Sequence, residues 1–280
     1  MNSRCPSPSR LALLASFASE DALAESAWRL LCRFFETTAI LQHRYVMTLP
    51  ARPVGREGSQ FLARPDEALA ILRDMSPPSF VLRYDEADRS QVISFLPAGD
   101  RQRYHVLSVT SEIPELLPEN WAHLIEGLAK TVRLAIAGTY DAHYLAWQRC
   151  NDPSYYSRKY GSIEGFRILR PLPYPFDNVE KLDTSANPGR YGLVTGGLAF
   201  VCAELWLGSE FWNYAPCKKE EILREQWLEV TDSQDFLYLR AYRKPFTRPD
   251  GEQGLFQRRL WQLLFRSDCC WPPDGGGSPG

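Results

Sequence analysis

An excess of either sign of charge is missing from this 280-residue chain: 32 Lys and Arg face 34 Asp and Glu, for a formal net charge of −2. A general nucleic-acid binder needs a basic field to displace counterions from phosphates, and this balance does not supply one. A wholesale mimic of DNA is excluded by the same balance, since it would be strongly acidic. Histidine is scarce, with only His43, His105, His123 and His143. The 7 cysteines are odd in number and include no CxxC pair with matching histidines. That argues against a zinc site and for a reducing compartment. No apolar run reaches the roughly 20 residues that a membrane-spanning helix needs. Leu11 to Ala18, preceded by Arg4 and Arg10, carries a trace of a secretory signal. The run is short, Pro6 and Pro8 precede it, and Glu20 and Asp21 follow at once, so a buried strand in a cytoplasmic protein is the simpler expectation.

Catalytic signatures are also missing. No GxxxxGK[ST] phosphate loop, GxSxG elbow or HExxH helix occurs. Gly192 to Gly197 (GLVTGG) lacks a lysine and does not fit GxGxxG, so these glycines read as turn and bulge positions. Asp85-Glu-Ala-Asp88 spells a helicase tetrapeptide, but without a phosphate loop upstream it reads as a hairpin turn. One pairing remains. Asp141 could orient His143, and Cys150, seven residues on, could act as its nucleophile. That makes a Cys/His-dependent hydrolase or transferase the alternative reading, with a scaffold or adaptor as a second alternative. No third residue supports the pair, and a packed or surface histidine is the plainer account. Cys32 and Cys202 lie in apolar runs and read as inert core thiols. No cofactor, metal ligand set or catalytic residue is expected.

Aromatic residues are plentiful: 8 Trp, 13 Tyr and 14 Phe make up 12% of the chain. Such side chains bury large areas and also anchor interfaces. Residues 1–10 are rich in Pro and Ser and read as a flexible tail, as does the Gly-rich end at 268–280. Between them, 11–267 reads as a single domain. Ser19 caps an expected helix whose apolar stripe runs Leu23, Ala27, Leu30, Leu31, Phe34, Phe35. Pro65 opens a shorter helix over 66–75. Phe80 to Tyr84, Val92 to Leu96 and Tyr104 to Val109 alternate as strands. Pro118 starts a second long helix, with Trp121, Leu124, Ile125, Leu128, Val132 and Leu134 on one face. Ala142 to Gln148 fits strand or helix. Residues 191–195 and 198–205 read as strands, or as a strand with a short helix, followed by an expected helix at 218–224, a hairpin joining 226–230 to 236–242, and an amphipathic helix at 253–265. Helices and hairpins in mixed order imply an α+β fold with a mixed or mainly antiparallel sheet.

Two stretches stand out as binding candidates. From Glu204 to Asp235 eight acids face three bases, and from Phe236 to Ser267 seven bases face two acids. The plain account is two solvated faces that partly pair with each other. The functional account is an acidic ridge, with Glu220, Glu221, Glu225, Glu229 and Asp232 steering a basic partner. The second stretch, 151–176, is rich in tyrosine, and Tyr155, Tyr156 and Tyr174 have the makeup of interface anchors. A structured loop folded over the core fits it equally.

Four segments carry a family resemblance: LALLASFASEDALAESAWRLLCRFFETT, the Trp121 helix, the WLEV…FLYLRAY hairpin and the closing QRRLWQLLF helix. Together they resemble bacterial immunity proteins paired with secreted nuclease toxins of the restriction-endonuclease type. Among them, the chain looks like the TsiT-type antitoxins of the type VI secretion system. The resemblance is diffuse and spans roughly 11–265. It implies a cytoplasmic, non-enzymatic protein that binds one cognate toxin and blocks it, with no direct contact to nucleic acid or membrane. It assigns no individual residue a role.

Overall fold

A computed structural model describes residues 118–169, 179–194 and 197–268 continuously. It also describes the strands β1 (Leu11–Ala18), β2 (Tyr45–Thr48), β3 (Gln60–Ala63), β4 (Phe80–Glu86), β5 (Arg89–Ala98) and β6 (Tyr104–Ser111). Of the two helices expected near the N-terminus, Ser26, Arg29, Leu30, Arg33 and Glu67 are described, and all five are helical. Of the two expected tails, residues 1–10 and 269–280 lie outside the described residues. The strands arise where the sequence alternates. His105, Leu107 and Val109 of β6 are buried, with half-buried residues between them. The hairpin at Asp85 to Asp88 is tighter than its composition suggests, because Glu86 already pairs with Arg89 and only two residues turn the chain.

α1 (Pro118–Thr131) follows, burying Trp121, Leu124, Ile125 and Leu128. Its neighbour is the helix of Leu30, whose side chain would lie 2.9 Å from a Cβ at Gly127. Contrary to the expected helical stripe through Leu134, the helix ends at Thr131. Leu134 opens β7 (Leu134–Asp141), and all eight of its residues are buried. A strand covered on both faces shows no alternation, so LAIAGTYD lacks a period-2 signal. The ambiguous segment after it is helical: α2 (Ala142–Arg149) is capped by Asp141, whose Oδ1 accepts the Tyr144 N–H at 2.8 Å. α3 (Pro153–Lys159) has Pro at its start and Asp152 as its cap.

Two short pairs then stand apart from the main sheet: β8 (Ile168–Leu169) with β9 (Lys181–Leu182), and β10 (Tyr191–Val194) with β11 (Gly197–Phe200). The chain rejoins the main sheet at β12 (Glu204–Gly208). A 3₁₀ turn (Ser209–Asn213), α4 (Lys219–Ile222), β13 (Glu229–Asp232), β14 (Phe236–Arg240) and α5 (Gly251–Phe265) complete it. The main sheet has ten strands in the order β13-β14-β12-β7-β1-β6-β5-β4-β2-β3, and every pairing is antiparallel. The fold class is therefore α+β with an antiparallel sheet. β1 and β7 sit between the early and late strands, so both halves of the chain share one sheet. On one face Ile136, Tyr140, Leu205, Leu207, Leu237 and Leu239 pack with Leu260, Trp261 and Leu264 of α5 and with the β11 residues. Ala135, Ala137 and Thr139 face the other way and are equally buried.

Candidate functional site

Residues 147–169 and 179–191 lie outside the main sheet and are clamped back at two points. Asn187 donates its side-chain amide to the Gln148 carbonyl at 2.9 Å, and the Gly189 N–H donates to Gln148 Oε1 at 3.2 Å. From the other side, buried Trp261 of α5 donates Nε1–H to the Pro188 carbonyl at 2.8 Å. A Cβ at Gly189 would lie 2.6 Å from the side chains of Gln148 and Tyr144, so the chain passes α2 at a distance only glycine permits. Arg190, held at the end of this loop, donates to the Asn187 carbonyl at 2.7 Å and to Ser267 Oγ at 3.1 Å. Its guanidinium stacks on Trp261 at 3.9 Å.

This clamped segment and α5 enclose an open cleft of about 860 Å³. Its lining includes three cations, Arg149, Lys181 and Arg190, and one carboxylate, Asp183. Arg149 lies 3.5 Å above the Tyr191 ring. The Ser185 hydroxyl and N–H hold the Asp183 carboxyl below its usual range, so it is ionised at neutral pH. Leu169 and Val194 line the same cleft and remain exposed. Four of the eight exposed large hydrophobic residues among those described, Tyr155, Ile168, Leu169 and Val179, come from this stretch, and Val194 follows it in β10. Sequence reasoning missed the cleft. The Pro188-Gly189 pair was its local signal, but Arg149, Lys181 and Trp261 converge only through tertiary packing.

The tyrosine candidates separate. Tyr156 is 3% exposed, accepts the Trp147 Nε1–H at 2.9 Å and packs edge-on against Tyr160 and Phe166. Burial pushes its hydroxyl up to about 12. Such a residue holds the segment together and is not a free anchor, so the structured-loop account applies to it. Tyr155, by contrast, is exposed, with its hydroxyl accepting from Lys159 Nζ at 3.0 Å. Tyr174 lies outside the described residues.

The acidic ridge is largely neutralised by its own chain. Sheet register places both Glu204 and Glu229 opposite Arg240. Arg240 bridges them at 2.9 and 3.2 Å. Asp232 pairs with Lys219 at 2.6 Å. Glu221 accepts the Lys218 backbone N–H and the Arg266 guanidinium, in that order of effect, and both hold its carboxyl below the usual range. Arg266 also ends α5 in the left-handed conformation, at φ 50°. Glu225 accepts from Trp227 Nε1, and Glu220 is exposed. The mutual-pairing account therefore describes these faces better than a free steering ridge.

The Cys150 and His143 pairing gains no geometry. Seven residues of helix set them about 10 Å apart along the axis. The Cys150 thiol is directed to the Asp152 carbonyl at 3.9 Å, and no hydrogen bond joins it to His143 among the described residues. Burial pushes the thiol up, opposite to the shift that activates a nucleophile. In the intact protein Cys150 is therefore expected to alkylate with iodoacetamide at pH 7.5 more slowly than free cysteine. A faster rate, sensitive to His143→Ala, would revive the enzyme reading. Cys202 is fully buried, and burial raises its thiol well above the ordinary value, consistent with a core role. No group of three or more His, Cys, Asp or Glu among the described residues is placed to hold a metal ion. No described helix is long and apolar enough to cross a membrane.

No protein-family model matches the chain, and no curated protein matches its sequence significantly. Among solved structures, the fold is similar to that of the Pseudomonas aeruginosa T6SS protein PA0821. The TM-score is 0.53 at 12% sequence identity, over 97% of this chain and 77% of that one.

Proposed function

We propose that this chain is an immunity protein, an antitoxin that binds a cognate secreted nuclease toxin and neutralises it by protein–protein contact. The observation that carries this reading is that Tyr155, Ile168, Leu169, Val179 and Val194, five of the eight exposed large apolar residues among those described, fall close together in sequence, with Leu169 and Val194 lining the cleft. Large apolar residues left in water on one patch mark contact surfaces. The likeness in fold to a protein titled as a T6SS protein supports a setting in type VI secretion. The sequence resemblance to TsiT-type antitoxins supports the immunity role within it.

In this reading the chain has no catalytic activity of its own and works in the cytoplasm, where a nuclease toxin meets its substrate. The cleft lining carries more cations than carboxylates, so it does not imitate a phosphate backbone. Inhibition then proceeds by a contact away from the toxin's substrate groove.

Co-expression tests this. The toxin encoded beside this gene is produced in a heterologous bacterium with and without the chain. Restored growth by several orders of magnitude, together with a complex that co-elutes in size-exclusion chromatography, is the expected outcome. Unrelieved growth arrest with no complex overturns the proposal, and a complex without protection points instead to an adaptor.

A further inference from the structure

An exposed apolar side chain gains meaning from the charges around it. Among the exposed large hydrophobic residues of the described chain, Tyr155, Leu223 and Leu255 belong to helices or their caps. Leu223, the C-cap of α4, follows Glu220 by three residues, and Leu255 in α5 follows Glu252 by three, so each has a carboxylate on its own side of the helix. Tyr155 differs. α3 holds no acidic residue, and Arg158 and Lys159 fill its last turn. Asp152, just before the helix, is engaged at the cap, where Oδ1 accepts the Tyr155 N–H at 2.9 Å.

Three side chains of α3 form one surface. Tyr155, Arg158 and Lys159 stand three and four residues apart, and all are exposed. Lys159 Nζ donates to the Tyr155 hydroxyl at 3.0 Å and lies 5.3 Å from the centres of the Tyr155 and Tyr160 rings. The Arg158 guanidinium lies 5.7 Å from the Tyr155 ring. Neither cation meets a carboxylate among the described residues. Beneath them, Tyr160 stacks on Trp147 at 6.1 Å and packs edge-on to Tyr155 and Tyr156 at 6.2 and 5.4 Å. The exposed ring therefore stands on a fixed aromatic base, and a ring already held loses little freedom when a partner covers it. Basic residues in a last turn also favour the helix dipole, which accounts for the charge but not for the ring left in water beside it.

We infer that this face of α3 is the docking surface for the partner protein, and that the partner presents an acidic rim around an apolar pocket. Tyr155 enters the pocket, and Arg158 and Lys159 meet carboxylates at its edge. Tyr and Arg are enriched among the residues that carry most of the binding energy of an interface. A planar guanidinium also pairs with a carboxylate through two parallel hydrogen bonds. The partner's sign is opposite to the one that a free acidic ridge would select, because Glu204, Glu221, Glu229 and Asp232 are already paired within the chain and the cations of α3 are not. Two cations are too few to hold a nucleic acid by counterion release, or to hold an anionic bilayer, which takes clusters of about four to eight. This rests on the proposed immunity function and names the chemistry of the toxin surface.

The test measures binding of the full chain to the toxin encoded beside its gene, by biolayer interferometry at low and high salt. Tyr155→Ala is expected to weaken affinity about thirtyfold and Tyr155→Phe to keep it within about threefold, with thermal melts close to wild type in both because the ring is exposed. Combining Arg158→Glu with Lys159→Glu is expected to slow association about tenfold and to remove most of its salt dependence, since the attraction lost is electrostatic. Arg243→Glu with Lys244→Glu changes the net charge equally at another exposed site, and is expected to leave the association rate within about twofold. Faster association in the Arg158/Lys159 variant, an equal slowing in the Arg243/Lys244 variant, or full affinity in Tyr155→Ala overturns the inference. So does binding to a single-stranded oligonucleotide or to phosphatidylserine vesicles that the Arg158/Lys159 reversal abolishes. The two layers fail separately. Protection from the toxin with unchanged affinity in every α3 variant removes the α3 surface and leaves the immunity reading, whereas a wild-type chain that neither binds nor protects removes both.

Discussion

Replacing Trp261 with alanine is expected to lower the unfolding free energy by about 3–5 kcal/mol, the range for removing a large buried aromatic. Trp261 is 3% exposed and belongs to the cluster formed by α5 and the β7, β12 and β14 residues. It also packs on Phe265, donates to the Pro188 carbonyl and supports the Arg190 guanidinium on its face. Truncation leaves a cavity, an unmatched buried carbonyl and a cation without its platform, so three losses fall on one substitution. Trp261→Phe keeps most of the ring and loses the indole donor, for an expected cost of about 1–3 kcal/mol. Urea denaturation of the two variants decides the matter. A loss below about 1 kcal/mol for Trp261→Ala would show that the 187–190 loop is not held by this ring.

The second large effect falls on Gly208→Ala. The added methyl would sit 2.2 Å from the Leu134 carbonyl oxygen and 2.7 Å from its Cβ. The nearest atom belongs to the backbone of β7, so no side-chain rotation relieves the clash. Either β12 separates from β7, or the strand end shifts and takes the 3₁₀ turn with it. Overpacking a tight site costs about 1–3 kcal/mol, and a backbone clash in the central sheet belongs at or above the top of that range. Gly192→Ala provides the control, since its methyl enters open space. Thermal melts should separate the two alanine variants by about 6 °C or more, taking about 2–4 °C per kcal/mol for a domain of this size. Coincident melts would mean that the β7–β12 packing tolerates a side chain there.

Much of the fold was legible because it rests on local alternation. The strands at Phe80 to Tyr84, Val92 to Leu96 and Tyr104 to Val109 lie within β4, β5 and β6, and in β6 buried and half-buried residues alternate along the strand. The closing helix was readable for the same reason: Leu260, Leu263 and Leu264 recur at helical spacing and are buried. β7 was not readable, because a strand buried on both faces loses the alternation that identifies strands. Its leucine at 134 instead continued the stripe of α1.

The candidate site divides along the same line. Composition alone determined a near-neutral net charge of −2, and that the acids of 204–235 and the bases of 236–267 could compensate each other. Tertiary structure decided which of them do so, because strand register brings Glu204 and Glu229 to one arginine. It also decided between two adjacent tyrosines. Tyr155 and Tyr156 share a helix and a composition, but neighbours on a helix point about 100° apart, so one enters the aromatic cluster while the other meets solvent. The cleft itself has no sequence signature. It draws Arg149, Lys181, Arg190 and Trp261 from a span of more than a hundred residues, and a site assembled by long-range packing leaves no spacing in the chain that could announce it.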